Sequence, residues 1–252
     1  MKIVISPAKS LDFKTNVPTN EATVPVFLDE ANQLNTVLKT MKPSELSDLM
    51  HISAALGDLG WQRNQEWQSS GVSSQMRQAV YAFKGTAYVG LNAYAIPPDK
   101  IGSLQDKLRI LSGQYGLLRP LDNIQAHRLE MGTKIAVDKH KNLYEFWGDK
   151  IANTLYKELA PGEVLVNLAS QEYFKVLRPS LFKAPVISPV FKDYSKGKLK
   201  TIAFYAKRAR GLMVRYIIDH NLDRPEDLKH FDTDGYAFDA NLSTEKEWVF
   251  SR

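Results

Sequence analysis

Two rhythms of apolar residues alternate along this chain. A short apolar run at 2–6 (Lys-Ile-Val-Ile-Ser) is stopped by Pro7 and reads as a strand. Over 26–39 the spacing of Phe27, Leu34 and Leu38 predicts an amphipathic helix. After a break at 40–43, Ser44 can cap a second helix that carries Leu46, Leu49, Met50 and Ile52 at helical period. Segments rich in Val, Ile, Tyr and Phe between turn residues predict strands at 86–91, 132–137, 164–168, 186–191, 201–205, 235–238 and 247–250. Further helices are expected at 74–83, 104–115, 143–159 and 206–220. Helices interspersed irregularly among strands indicate an α/β chain with a mixed sheet rather than a regular βαβ repeat. No repeat, low-complexity stretch or long linker divides it, so a single compact domain over 1–252 is expected.

Composition removes several chemistries. The 252 residues are 44% hydrophobic and 24% charged, enough for a substantial core. With no cysteine, disulfides, thiolate nucleophiles and cysteine-ligated metal centres are excluded. The five histidines (His51, His127, His140, His220, His230) never pair at ligand spacing, so no metal is expected. Gly113-Gln114-Tyr115-Gly116 lacks the third glycine of a dinucleotide fingerprint and the Gly-Lys-Ser/Thr of a phosphate loop, and no Gly-x-Ser-x-Gly occurs. No cofactor is expected. The apolar start, broken at once by Pro7, is neither a signal segment nor a membrane span, which predicts a cytoplasmic protein.

Charge is uneven along the chain. Residues 1–172 are balanced, with eighteen basic and eighteen acidic side chains. From Tyr173 to Arg215 eleven basic residues face one acid, a net of +10. The remaining 216–252 carries four basic and nine acidic residues, a net of −5. This is the electrostatic footprint of a polyanion binder. On the 206–220 helix Lys207, Arg208, Arg210 and Arg215 form a basic arc opposite an apolar one, and Gly211 interrupts it. A glycine there signals close approach by a ligand phosphate or by another element. The helix, turn and Pro225-led segment through 231 outline a helix-hairpin-helix, and the 27–56 pair offers a second candidate of the same outline.

Other polar segments interrupt the apolar pattern. Lys9 follows the first strand; Ser112, Tyr115 and Arg119 sit among small residues; Arg128 and Glu130 precede an expected strand. Asn167, Ser170, Glu172, Tyr173 and Lys175 follow another, at the strand end where α/β proteins place ligands. Together they predict one polar cleft.

These segments occur in order in the YaaA family of bacterial peroxide-stress proteins, which the chain resembles almost from end to end. The matching stretches include Ile5-Ser6-Pro7-Ala8-Lys9, Phe83-Lys84-Gly85, Arg128-Leu129-Glu130-Met131-Gly132, Phe146-Trp147-Gly148-Asp149, Asn167-Leu168-Ala169-Ser170 and Phe204-Tyr205-Ala206-Lys207 with Ala209-Arg210-Gly211. The resemblance implies an α/β fold with a basic cleft and a helix-hairpin-helix. It also implies DNA binding with little sequence preference, and a role in limiting oxidative damage and free iron under hydrogen peroxide. On this reading Lys9, Lys84, Arg119, Arg128, Lys175, Lys207, Arg208, Arg210 and Arg215 contact phosphates, and Ser112, Tyr115, Trp147, Asn167, Ser170 and Tyr173 line the cleft. DNA is the expected partner of a monomeric chain. The alternative is an enzyme acting on a nucleotide or nucleic-acid base. In it Glu130, Asp149 or Glu172 is the general acid or base, and Tyr115 or Trp147 stacks on the base.

Overall fold

The computed structural model describes residues 1–70, 75–180 and 182–252. Its main sheet has eight strands: β1 (Lys2–Ile5), β2 (Leu108–Ser112), β3 (Gly116–Leu118), β4 (Leu165–Leu168), β5 (Val186–Ser195), β6 (Lys198–Lys200), β7 (Ala237–Asp239) and β8 (Glu247–Ser251). The spatial order is β7-β8-β5-β4-β1-β2-β3, with β6 paired to β5. β2, β1, β4, β5 and β8 are mutually parallel, while β3, β6 and β7 are antiparallel additions. The fold is thus a mixed α/β one with a mainly parallel sheet.

The helices named below are α1 (Leu28–Lys39), α2 (Pro43–Met50), α3 (Ala54–Glu66), α4 (Thr86–Leu91), α5 (Ile101–Lys107), α6 (Leu143–Trp147), α7 (Lys150–Lys157), α8 (Gln171–Phe174) and α9 (Ala203–Asp219). They cover both faces of the sheet, so β1 and β2 are buried throughout. Side chains of β1 alternate between two cores: Ile3 and Ile5 join Met213, Ile217 and Ile218 of α9, whereas Val4 joins Leu34 and Leu38 of α1 and Ile151 and Leu155 of α7. The two charged residues inside these central strands are paired. Lys2 Nζ lies 2.8 Å from Asp106, and Arg109 Nε lies 2.6 Å from Glu158.

Strands near 2–6, 164–168, 186–191, 235–238 and 247–250 and helices near 26–39, 43–50 and 206–220 stand as expected. Others differ. Residues 108–112, expected within a helix over 104–115, form β2, because a strand buried on both faces carries the same continuous apolar run as a buried helix. The helix over 143–159 is cut in two at Gly148, whose φ of 49° lies in the left-handed region. Residues 132–137 form no strand, and the helix expected at 74–83 is reduced to Ala79–Ala82, with Ser74 outside the described residues.

Residues 86–91 are helix α4 instead of a strand, and the expected strand at 201–205 opens α9. These two helices cross at closest range where glycine sits on each. A Cβ on Gly211 would overlap the carbonyl oxygen of Ala87, and one on Gly90 would overlap that of Arg208. Tertiary packing here overrides the β preference of Tyr88, Val89, Phe204 and Tyr205. The gap left by Gly211 is filled by another element and offers no space to a phosphate.

A helix-hairpin-helix is not shown. At the end of α9 the N–H groups of His220, Asn221 and Leu222 donate back to Tyr216, Ile218 and Ile217, and a 3-10 turn, Pro225–His230, follows in place of an α-helix. Lys107 Nζ takes the Leu222 carbonyl oxygen and pairs with Asp223, tying this turn to the end of α5. The 27–56 segment holds α1, α2 and the start of α3.

Candidate functional site

The sheet places β1 beside β4, and the two lead onward in opposite directions: β1 to β2 on one side, β4 to β5 on the other. The carboxyl ends of such a pair leave a crevice that the crossover helices do not fill. The loops leaving these strands are joined there. Ser170 N–H donates to Ser6 Oγ at 2.8 Å, the two hydroxyl oxygens are 3.3 Å apart, and Tyr88 of α4 donates its hydroxyl to the Ser6 carbonyl oxygen at 3.1 Å.

Above this join lies a cavity of about 450 Å³, roughly the size of a small-molecule pocket. Its lining includes five cations, Lys9, Lys84, Arg128, Lys207 and Arg210, and two carboxylates, Glu130 and Glu172. Glu130 is shared between Lys9 Nζ at 2.7 Å and Arg128 Nη2 at 3.7 Å. One oxygen of Glu172 accepts the Gly132 N–H at 2.9 Å. Arg128 Nε is enclosed without a hydrogen-bond partner. Among the described residues no hydrogen bond or ion pair reaches the side chain of Lys207 or of Arg210. Arg210 is half-buried, and burial pushes its guanidinium below the usual arginine value. Cations left so, with a net excess of three positive charges, are an arrangement that an anion would stabilise.

The neutral wall of the cavity holds its protons firmly. Burial raises the Tyr173 hydroxyl, and the carboxylates of Glu172 and Glu130 add to this. Burial likewise raises Tyr88, with Tyr173 adding to it. His127, buried against Tyr115 and Phe83, has its pKa pushed down to about 4 by burial; its Nδ1 lies 2.8 Å from the Gln125 carbonyl oxygen. All three are neutral near pH 7.

Of the residues read from the sequence, Lys9, Lys84, Arg128, Glu130, Ser170, Glu172, Tyr173, Lys207 and Arg210 meet at this cavity. The rest lie elsewhere. Tyr115 and Trp147 have no exposed surface. Tyr115 Oη accepts the Gln125 N–H and Trp147 donates to the Gly113 carbonyl, so neither ring can stack on a ligand. Ser112 is buried beside Tyr115 and accepts its N–H. Asn167 bonds Ser188 Oγ and the Ala169 N–H. Arg119 is held by Asp122 at 3.1 Å, Lys175 lies 4.9 Å over the Tyr144 ring, and Asp149 pairs with Arg178 at 2.8 Å. The basic arc of α9 divides: Lys207 and Arg210 face the cavity, Arg208 pairs with Asp234 at 2.6 Å, and Arg215 pairs with Asp219 at 2.7 Å. Ser6, Tyr88 and His127 also line the cavity and do not stand out in the sequence. A lone serine after a strand, a tyrosine in a segment of strand-like composition and an unpaired histidine carry no local signal of a site.

Among the described residues no three His, Asp or Glu side chains gather where a metal ion could sit, and no helix is long and apolar enough to cross a membrane.

Comparison with known proteins agrees with the resemblance. The model of a family described as peroxide stress protein YaaA matches residues 1–242. A UPF0246 protein of Flavobacterium johnsoniae is 57% identical over 252 residues, covering all of both chains. One from Neisseria meningitidis serogroup A is 50% identical over 254 residues, covering all of this chain and 98% of its own, and one from Hahella chejuensis is 48% identical over the same length.

Proposed function

That this chain belongs to the peroxide stress protein YaaA family is the premise from which we propose that it binds DNA by its phosphates, without reading sequence, and so limits oxidative damage and free iron under hydrogen peroxide. The observation that carries the reading is the cavity at the ends of β1 and β4, where the side chains of Lys207 and Arg210 stand unpaired among the described residues beside Lys9, Lys84 and Arg128. Point charges without paired Asn or Gln side chains favour phosphate contact over recognition of base edges. Each phosphate neutralised contributes about −0.9 to the slope of log affinity against log salt on duplex DNA. Replacing Lys207 and Arg210 together by alanine should therefore make the slope shallower by up to about 1.8 and weaken unrelated sequences alike. Unchanged affinity and slope in a folded variant would remove this cavity as the DNA contact.

A second reading, an enzyme acting on a nucleotide or base, is favoured by Glu130 and Glu172 lining the same cavity as the cations. Asp149 has no part in it, since it lies in a separate hollow with Arg178.

A further inference from the structure

Beside the cationic cavity, and sharing the wall Lys84-Gly85-Thr86 with it, lies a second hollow of about 620 Å³ whose character is different. Phe204 is 61% exposed, Tyr205 41% and Val89 66%. Such side chains are costly to leave in water and cluster here on one rim. Phe204 and Tyr205 are held edge to face with ring centroids 5.7 Å apart. The Arg252 guanidinium lies 5.0 Å over the Tyr205 ring and is itself fixed by Asp234 at 2.8 Å, which also holds Arg208. The result is an aromatic shelf with cations around it.

We propose that this shelf stacks an unpaired nucleobase whose own phosphate sits in the adjoining cationic cavity, so that the preferred ligand is single-stranded rather than duplex nucleic acid. The inference rests on the phosphate reading of that cavity. Phe204 and Lys207 are three residues apart on α9, as are Lys207 and Arg210, so aromatic ring and cations follow one another at steps of about one helical turn. That step is comparable to the reach of a ribose between a base and its phosphate. In a duplex both faces of a base are covered by its neighbours, whereas a base out of the stack can lie on an aromatic ring irrespective of its identity. Charge complementarity with the adjoining cavity, whose lining carries five cations and two carboxylates, selects a polyanion over an apolar partner. On the rim of the shelf itself stand Lys84, Arg208 and Arg252, the two arginines held in place by Asp234 and Asp193.

The test uses the full chain with a single-stranded oligonucleotide containing 2-aminopurine, and with the duplex formed by adding its complement. Binding of the single strand to the wild type should quench the 2-aminopurine emission. The Phe204→Ala, Tyr205→Ala variant should lose that quench and about tenfold or more of the single-strand affinity, while duplex affinity stays within about twofold. Both side chains are exposed, so the variant should keep its fold, checked by circular dichroism. No quench in the wild type, or equal affinities of wild type and variant for the single strand, would overturn the shelf. So would a wild-type dimer that the variant converts to monomer with single-strand binding unchanged, which would assign the surface to a second copy of the chain. The Lys207→Ala, Arg210→Ala variant separates the two readings. If it binds both DNAs with unaltered salt slope while the aromatic variant loses the single strand, the phosphate cavity falls and the shelf stands.

Discussion

Gly90 of α4 and Gly211 of α9 face each other's helices across a seam where no side chain fits, each pressed against a backbone carbonyl of the other helix. This seam sets how closely α9 lies against α4, the helices whose residues line both the cavity with Lys207 and Arg210 and the hollow with Phe204 and Tyr205. The positions of the binding groups thus depend on two residues that have no side chain.

Enlarging the seam should therefore damage both stability and binding. Gly211→Ala is expected to cost about 1–3 kcal/mol, the range for overpacking a filled interior, measured as a lower denaturation midpoint. DNA affinity should fall with it at temperatures where the variant is still folded. A variant as stable as the wild type would show that the helices separate freely.

The cavity carboxylate Glu130 separates binding from catalysis. Glu130→Gln removes the negative charge between Lys9 and Arg128. For a phosphate-binding site the change should raise DNA affinity severalfold, with a steeper salt slope, as read by fluorescence anisotropy. Loss of turnover on a nucleotide substrate with binding retained would instead mark Glu130 as an acid or base.

His127 gives the fold a pH dependence of known sign. In the unfolded chain the imidazole takes its proton near pH 6.5, whereas in the folded protein burial delays this to about 4. Between these values the unfolded state binds the extra proton, so the contribution of His127 is complete above about pH 6.5 and falls as pH drops toward 4. The loss amounts to about 3 kcal/mol over that window. His127→Phe, which keeps a ring against Tyr115 and Phe83, should flatten the curve of stability against pH relative to wild type. Parallel curves would refute the assignment.

The buried end of Arg109 should reveal the cost of an uncompensated charge. Its side chain is 6% exposed and its Nε lies 2.6 Å from Glu158, while Nη1 donates to the carbonyls of Gln105, Asp106 and Leu108. Glu158→Ala is expected to lower stability by about 3 kcal/mol, because the guanidinium remains buried in β2. Asp234→Asn, whose partners Arg208 and Arg252 are more exposed, should cost about 1 kcal/mol or less. Urea unfolding of the two variants compares them directly.

Much of this was legible in the residues alone. The apolar run at 2–6, the spacing of Phe27, Leu34 and Leu38, and the apolar arc of the 206–220 helix specify their elements because burial on one face imposes a period that any neighbour must respect. Segments buried on both sides have no such period. That is why Leu108–Ser112 reads as helix while forming a central strand; Thr86–Leu91 reads as strand for another reason, the β preference of Tyr88 and Val89, which packing against α9 overrides. The site was half legible for a related reason. Lys9, Arg128, Glu130, Glu172 and Lys207 interrupt apolar patterns and so declare themselves, whereas Tyr115 and Trp147 look identical in sequence whether they line a cleft or fill a core.

What only the tertiary structure decided is which charges remain free. Along the chain, 173–215 carries eleven basic residues and 216–252 nine acidic ones. Folding returns the second segment onto the first, so that Asp234 takes Arg208 and Arg252 takes Asp193, while Arg215 is taken one helical turn away on α9 itself by Asp219. Lys207 and Arg210, on the same helix face in sequence terms, turn into the cavity at the ends of β1 and β4, where no acid among the described residues pairs with them. Net charge is additive over residues and can be read in one dimension. Pairing depends on distances of a few ångströms between segments far apart in the chain, and only the packed sheet and its crossing helices set those.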